Sequence, residues 1–552
     1  MIEISRRNVL LGALGLSSLA VLGACKTGPS STSSTGRLIV ALGPPDKETN
    51  VTWEGLSQAT NLQLRHCLEA LIAVEAKTGK LVPGLAEKWE QAGDAKTWTV
   101  TLRKGVQFHR GYGEFTAADV VENYALTTQD GAVTSDAGRL RSLLGQTPDE
   151  VRKNIEVKDD HTVVFHLLKP YVDFPFMMSA KVGTLFMHSG KQLQKDGVAA
   201  IRNPTVGPVG TGPWEFVSRA QGQSMLFKKV PNHWRQTPDF DELELRFVPE
   251  AATMQAMGLN KEAHMVAVPR ALQPRLVESG KKITTAANPS TGVEFTMGGV
   301  LYPGLPNYDA SVPVVNPKVR EAINRAVDRN GIVKAFFSTG GVQLMKNMSY
   351  YPTGDYWNSR WDDEFDSKYG YDPGKAKALL AEAGYPNGFD LTVATVSYTA
   401  LPESASISET IAQNLTAIGL KVKLQTYQSQ DVIAMSKAKD PKLRNVLVPW
   451  LVSYRPTLQL LQSYTQSGSD GSVTAEPVKE IDDAYKQLAA SSDSAQRTAL
   501  MQRIGDLKFD LYAELPLLWI PGQIVRDPGV VSDYQFPGDI AAVYSHFENA
   551  RH

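Results

Sequence analysis

Two places in the second half of this chain begin a helix in the same way. Asn316-Pro317 and Asp372-Pro373 each put a capping side chain before a proline at the first helical position, where the missing N–H costs nothing. Val319, Ala322, Ile323, Ala326 and Val327 then mark one helix face. Ala376, Leu379, Leu380 and Ala383 mark another, which Gly384 stops. Ile407, Ile411, Leu415 and Ile418 predict a third helix, ended by Gly419. Leu420, Val422 and Leu424 then alternate with Lys421 and Lys423 as a strand. Helices alternating with strands in this way predict an α/β body.

The first half reads mainly as strands. Arg37 to Leu42 opens the folded body, and Trp98, Val100 and Leu102 alternate with threonines as a half-buried strand. Thr162 to Leu168 predicts another, and Leu243, Leu245 and Phe247 alternate with Glu242, Glu244 and Arg246. Polar alternate positions predict mixed or antiparallel sheets with one wet face. The apolar run from Asn445 to Val452 is too short to span a membrane and predicts a buried strand. A body of more than five hundred residues exceeds what one core supports, so two or more lobes are expected.

Residues 1–24 predict an export address. Ser5-Arg6-Arg7-Asn8-Val9-Leu10 is a twin-arginine start, followed by an uncharged apolar stretch to Val21. Leu22-Gly23-Ala24-Cys25 resembles the lipobox of bacterial lipoproteins, which implies that Cys25 is lipidated. Residues 26–36, rich in Ser, Thr and Gly, predict a flexible tether, so that 25–36 links lipid to fold. The expected location is the periplasm or cell surface, anchored to a membrane by lipid. With Cys25 so used, Cys67 has no partner, which excludes an intrachain disulfide and a cysteine metal site.

Catalytic signals are weak. No G-x-S-x-G, H-E-x-x-H, P-loop or strand-linked G-x-G-x-x-G pattern occurs. Gly210-Thr211-Gly212-Pro213 reads as a turn without the following helix that phosphate binding needs. His161 and His166 point to opposite faces of a regular strand, so no shared metal is expected. Asp362-Asp363-Glu364 and Asp366 lack the glycine turn of a calcium loop and are expected in a solvated loop. A formal net charge of −1 gives no field for nucleic acid. Tyr350-Tyr351 and Tyr356-Trp357 lie in a Gly/Pro/Asp-rich stretch without periodicity, and loop aromatics of this kind can line a ligand cleft.

A family resemblance runs through most of the chain. Leu85 to Glu90, Trp98 to His109 and Phe115 to Val120 together resemble the signature of the family 5 extracellular solute-binding proteins, the dipeptide/oligopeptide/nickel class that serves ABC importers. Gly210-Thr211-Gly212-Pro213-Trp214, Asn232-His233-Trp234, Val319 to Arg329 and Tyr371 to Tyr385 resemble further motifs of that family, in the same order. The resemblance implies a two-lobed periplasmic-binding-protein fold, type II-like and of the large class with an extra subdomain, with mixed sheets and a hinge. Lobe 1 would span 37–294 with an inserted subdomain at about 61–204; lobe 2 would span 295–512, and 513–552 would return to lobe 1.

The implied function is capture of a small organic solute between the lobes, with delivery to an ABC permease and its ATPase. The expected protein is a monomer with no cofactor, metal or catalytic residue. Peptide binders of the family carry an aspartate three residues after a tryptophan to pair with the ligand ammonium. Here the segment reads Trp450-Leu451-Val452-Ser453-Tyr454-Arg455, so Ser453 stands in the aspartate's place and Arg455 adds a positive charge. An unpaired buried ammonium is costly, and a guanidinium suits a carboxylate or phosphate. Trp450, Ser453, Tyr454 and Arg455 are therefore the candidate pocket residues. The candidate ligands are a peptide-like compound, an opine or amino-acid conjugate, and a short oligosaccharide. Leu259 to His264 replaces a second family element, G-x-[IV]-D. Two other readings stay open: a twin-arginine-exported enzyme, and a solute sensor without a permease.

Overall fold

The computed structural model describes residues 36–552 except 46, 56–61, 135, 182–184, 300–302, 305–307, 353, 355, 399–400, 439, 454–456, 465–478, 492 and 539–543. Cys25, Tyr454 and Arg455 lie outside the described residues, and so does the side chain of Ser453.

Strand Arg37–Leu42 pairs in parallel with Glu242–Phe247, and each sends alternate residues inward. Leu38 and Val40 meet Leu243 and Leu245 in a core that also takes Phe227, Ile524, Tyr534 and Phe547. A four-stranded antiparallel sheet lies apart from it, in the order 86–91, 97–102, 162–166, 155–159. Trp98, Val100, Leu102 and Phe165 pack there with Phe115 and Tyr124 in a separate core drawn from residues between Leu71 and Val209.

Among the described residues, eleven strands join one large sheet. From one edge its order is Lys421–Tyr427, Asp390–Val396, Val446–Ser453, Lys282–Met297, Leu515–Arg526, Met265–Val266, Arg37–Leu42, Glu242–Phe247, Ser224–Lys229 and Trp214–Ala220, with Gln343–Leu344 paired beside Leu515–Arg526. Parallel and antiparallel pairs are mixed, as the polar alternation predicts.

The helices start where the sequence places them. Asn316 accepts a hydrogen bond from the Lys318 N–H, and Asp372 accepts one from the Lys375 N–H, each before a proline at the start of its helix. Val319, Ile323, Leu379, Ile407, Ile411 and Leu415 meet Val293, Phe295 and Leu447 in another core. Gly384 and Gly419 take the left-handed conformation after their helices, with φ of 93° and 98°.

One expectation is corrected. Asp362, Asp363, Glu364 and Asp366 lie in helix Arg360–Tyr369, not in a loop. Trp361, Phe365 and Tyr369 recur every fourth residue and bury one face, so the acids are simply the wet side of an amphipathic helix. Leu515–Arg526 is one continuous strand that serves both cores in turn: Leu515, Leu517, Leu518 and Ile520 pack with Val293 and Ile323, and Ile524 packs in the first core.

Candidate functional site

Lys282–Met297 and Leu515–Arg526 run antiparallel through the middle of the sheet and pair along nearly their whole length. The register slips between Thr285 and Pro289 and again before Thr291. Residues before the slip pair with Gln523 to Arg526, near the first core; residues after it pair with Leu515 to Ile520, in the second.

On the far side of Lys282–Met297, Trp450 pairs with Glu294, and Ser453 with Thr291. Alternation along Val446–Ser453 turns Leu447 and Leu451 to the second core and Trp450 and Val452 to the opposite face. There Val452, Met345, Met348, Tyr351, Leu460 and Trp519 form an aromatic-rich cluster, with Trp450 and Phe176 packed against it. Tyr351 and Trp519 lie 4.5 Å apart between ring centres. Gly292 makes room for this stack: a Cβ on it would stand 2.6 Å from the Trp519 ring.

Phe176 comes from the chain segment of the four-stranded sheet, so two separately built bodies meet here. Between them opens a cleft of about 330 Å³. Trp89, Asp173, Phe176 and Lys181 line one wall, and Tyr351 and Tyr356 the other. The Lys181 ammonium donates to the Gly79 carbonyl and stands 5.7 Å from the centre of the Phe176 ring. Asp173 is partly open to the cleft, and burial pushes its carboxyl up to about 6; Arg497 and Arg139 oppose that rise through their charge alone. No hydrogen bond or ion pair reaches the Asp173 carboxylate among the described residues.

The four residues singled out from the sequence stand as follows. Trp450 packs against the aromatic cluster behind the cleft, and Ser453 ends the same strand. Tyr454 and Arg455 are not described, but Thr457 and Leu458, just beyond them, line the cleft. Tyr351 and Tyr356, picked out as loop aromatics, reach it, whereas their neighbours Tyr350 and Trp357 pack in or against a helical core. Asp173, Phe176 and Lys181 escaped the sequence reading. The signal available was a carboxylate set among aromatics in Tyr171-Val172-Asp173-Phe174-Pro175-Phe176.

A second cavity, of about 450 Å³, lies by the register slip on the side to which Ile520 points. Two of its polar side chains, Arg270 and Gln523, are engaged by the protein. Arg270 donates to the carbonyls of Pro521 at 2.8 Å and Gly340 at 3.0 Å, and Gln523 donates to Thr285 Oγ1 at 3.0 Å. Elsewhere, His161 meets Glu114 and His166 meets Glu156, each as a separate surface pair. Among the described residues no group of three His, Cys, Asp or Glu could hold a metal, and no helix is long and apolar enough to cross a membrane. Cys67 is buried, and burial pushes its thiol up to about 12.

The model of the bacterial extracellular solute-binding proteins, family 5, matches residues 80–472. The chain belongs to that family. Among its family 5 relatives, the dipeptide-binding protein of Escherichia coli (strain K12) is 28% identical over 397 residues, covering 69% of each chain. The glutathione-binding protein GsiB of Salmonella choleraesuis (strain SC-B67) is 27% identical over 530 residues, 93% of this chain and 92% of the relative. The solved structure of HbpA2 from Haemophilus parasuis superposes with a TM-score of 0.74 at 21% identity, over 93% of this chain and 99% of that one. The fold is thus the two-lobed one of periplasmic binding proteins, with mixed α/β sheets. As a family 5 member, the chain is a solute-binding protein of the kind that serves ABC importers, and its relatives are binding proteins rather than enzymes.

Proposed function

We propose that this protein captures a small organic solute, of peptide or amino-acid-conjugate character, in the aromatic cleft between its two bodies and hands it to an ABC permease. The observation that carries this reading is the cleft itself. Aromatic rings on both walls surround a carboxylate and an ammonium, which is the make-up of a small-molecule site. The relatives named for dipeptide and glutathione support the peptide-like class. Short oligosaccharides remain in the same reading, because the rings would also stack on sugars.

Trp450, Ser453, Tyr454 and Arg455 are proposed to complete the site from the side of the second core, since Trp450 packs against the cluster behind the cleft and Thr457, just past that segment, lines it. The lobes are proposed to turn about residues 286–288 and Pro521-Gly522, where the paired long strands slip register between the two cores. Arg270 donates to the carbonyls of Gly340 and Pro521 at that point, which would steady the hinge.

The testing experiment is a thermal-shift screen of the purified protein against di- to pentapeptides, opines and oligosaccharides. A ligand at a hundred times its Kd stabilises the folded state by about 2.7 kcal/mol. Stabilisation by peptides or amino-acid conjugates is the expected outcome; a response to sugars alone would move the ligand class. Failure of Tyr356→Ala to weaken any responding ligand would remove the site from this cleft.

Lipid anchoring at Cys25 is part of the proposal. Cys25→Ser is expected to move the protein from the membrane to the soluble fraction on cell fractionation, and retention in the membrane would refute the anchor.

A further inference from the structure

We propose that Asp173 receives the cationic end of the ligand, and that the protein therefore selects solutes carrying a free ammonium. This inference rests on the cleft reading above and deepens it.

The Asp173 carboxylate is costly where it stands. Asp173 precedes the short helix Phe174–Met177, and its side chain caps nothing there. It lines the cleft beside Phe176 and faces the wall of Tyr351 and Tyr356. A desolvated carboxylate without a hydrogen bond is unfavourable, and such groups are ordinarily paired. Among the described residues no side chain pairs it. Arg497, from helix Ser494–Asp510, donates through Nη1 alone to the carbonyls of Leu488 and Ser491, at 2.8 and 2.9 Å, and its buried Nη2 makes no hydrogen bond among the described residues, to Asp173 or to anything else. Arg139, from helix Ala137–Leu144, directs one guanidinium nitrogen to Met177 Sδ, at 3.7 Å. Both cations act on Asp173 only from a distance.

An incoming ammonium would supply the missing partner. Aromatic faces at Phe176, Tyr351 and Tyr356 suit the same cation, because their π-clouds attract positive charge. Lys80 and Lys181 on the cleft lining give a positive region for a carboxylate at the ligand's other end. The arrangement fits a zwitterion. It also answers the departure at Ser453: the counter-charge comes from the opposite body, so that pairing with it would draw the two bodies together.

The charge state of Asp173 adds a second readout. The groups around it are Arg139 and Arg497, Lys80 and Lys181 on the cleft lining, and Asp136 and Tyr171 alongside. Burial holds the carboxyl neutral to about pH 6, well above the usual aspartate range. An ammonium pairs with the ionised form, so affinity should rise as the pH rises through that value. The folded state, by contrast, favours the proton. Its stability should fall through the same window, and that fall should be missing in Asp173→Asn.

The test uses the purified protein and a panel of X-Ala dipeptides with their N-acetyl counterparts, read by isothermal calorimetry at pH 5 and 7.5. The expected result is binding of at least one free-amine probe with its N-acetyl form ten-fold or more weaker. Asp173→Asn should lose that preference, weaken the free-amine probe at least ten-fold at pH 7.5, and remove the pH dependence. The isosteric change removes no hydrogen bond, so an unchanged or higher melting temperature is expected. Asp173→Asn that keeps both affinity and amine preference would overturn the assignment while leaving the cleft reading intact. Binding of N-acetyl and free-amine probes alike by the unmodified protein would overturn it too. If Tyr356→Ala also leaves every affinity unchanged, the cleft reading itself falls.

Discussion

Alanine at position 210 is expected to leave the protein unable to fold stably. The turn Gly210-Thr211-Gly212-Pro213 lies directly on the backbone of residues 66–67. A Cβ on Gly210 would stand 2.0 Å from the Cys67 carbonyl oxygen, and one on Gly212 would stand 2.6 Å from that of His66. Neither neighbour is a flexible side-chain end. The turn is also pinned from other directions. The His109 N–H donates to the Gly210 carbonyl at 2.9 Å, the His109 ring nitrogen meets the Gly212 carbonyl at 2.8 Å, and Thr211 donates to Glu69 at 3.0 Å. Forced overpacking costs on the order of 1–3 kcal/mol where side chains can adjust, and more where backbone must move. We expect Gly210→Ala to lose at least about 3 kcal/mol, read as a drop in the urea midpoint, or to yield no soluble protein. Gly93→Ala is the control. Nothing lies within 4 Å of its Cβ position and its φ is not in the left-handed region, so the change should be neutral or slightly stabilising.

Lys508→Met should produce the other large loss. Lys508 and Glu514 form an ion pair at 2.9 Å with only 1% and 5% of their side chains exposed. The pair joins helix Ser494–Asp510 to the start of the long strand Leu515–Arg526. Removing the ammonium strands a carboxylate in the interior, which costs about 3–5 kcal/mol. The double variant Lys508→Met/Glu514→Gln should recover most of that, because a neutral amide has far less hydration to lose. Equilibrium denaturation of the three proteins tests this, and a single variant as stable as the parent would refute it.

Both predictions concern features that local sequence patterns do not price. Asn316-Pro317 and Asp372-Pro373 announce their helices because a cap and its proline act within three residues. Val446–Ser453 announces itself by apolar content. The acidic run from Asp362 misleads because the aromatic stripe that makes it helical is buried by residues such as Leu461 and Ile481, a hundred positions away. The long paired strands show nothing of their pairing in the sequence, since Lys282 meets Arg526 only after the chain has returned. The site is legible to the same degree. Tyr351 and Tyr356 could be picked out as unperiodic loop aromatics. Asp173 could not be weighed, because what distinguishes it is the lack of a hydrogen-bonded partner among the described residues, and that depends on what the rest of the fold brings near it.

The route of Leu515–Arg526 bears on how the protein comes into being. Residues 38–42 are made early, yet the core they enter is closed by Ile524, Tyr534, Phe547 and Ala550. The other core likewise waits for Leu515 to Ile520. Neither half can be completed while the ribosome is still extending the chain through its fifth hundred of residues, so growing chains must carry unfilled apolar surface until late in synthesis. The finished molecule should then form in one concerted step, its two halves melting together rather than in sequence.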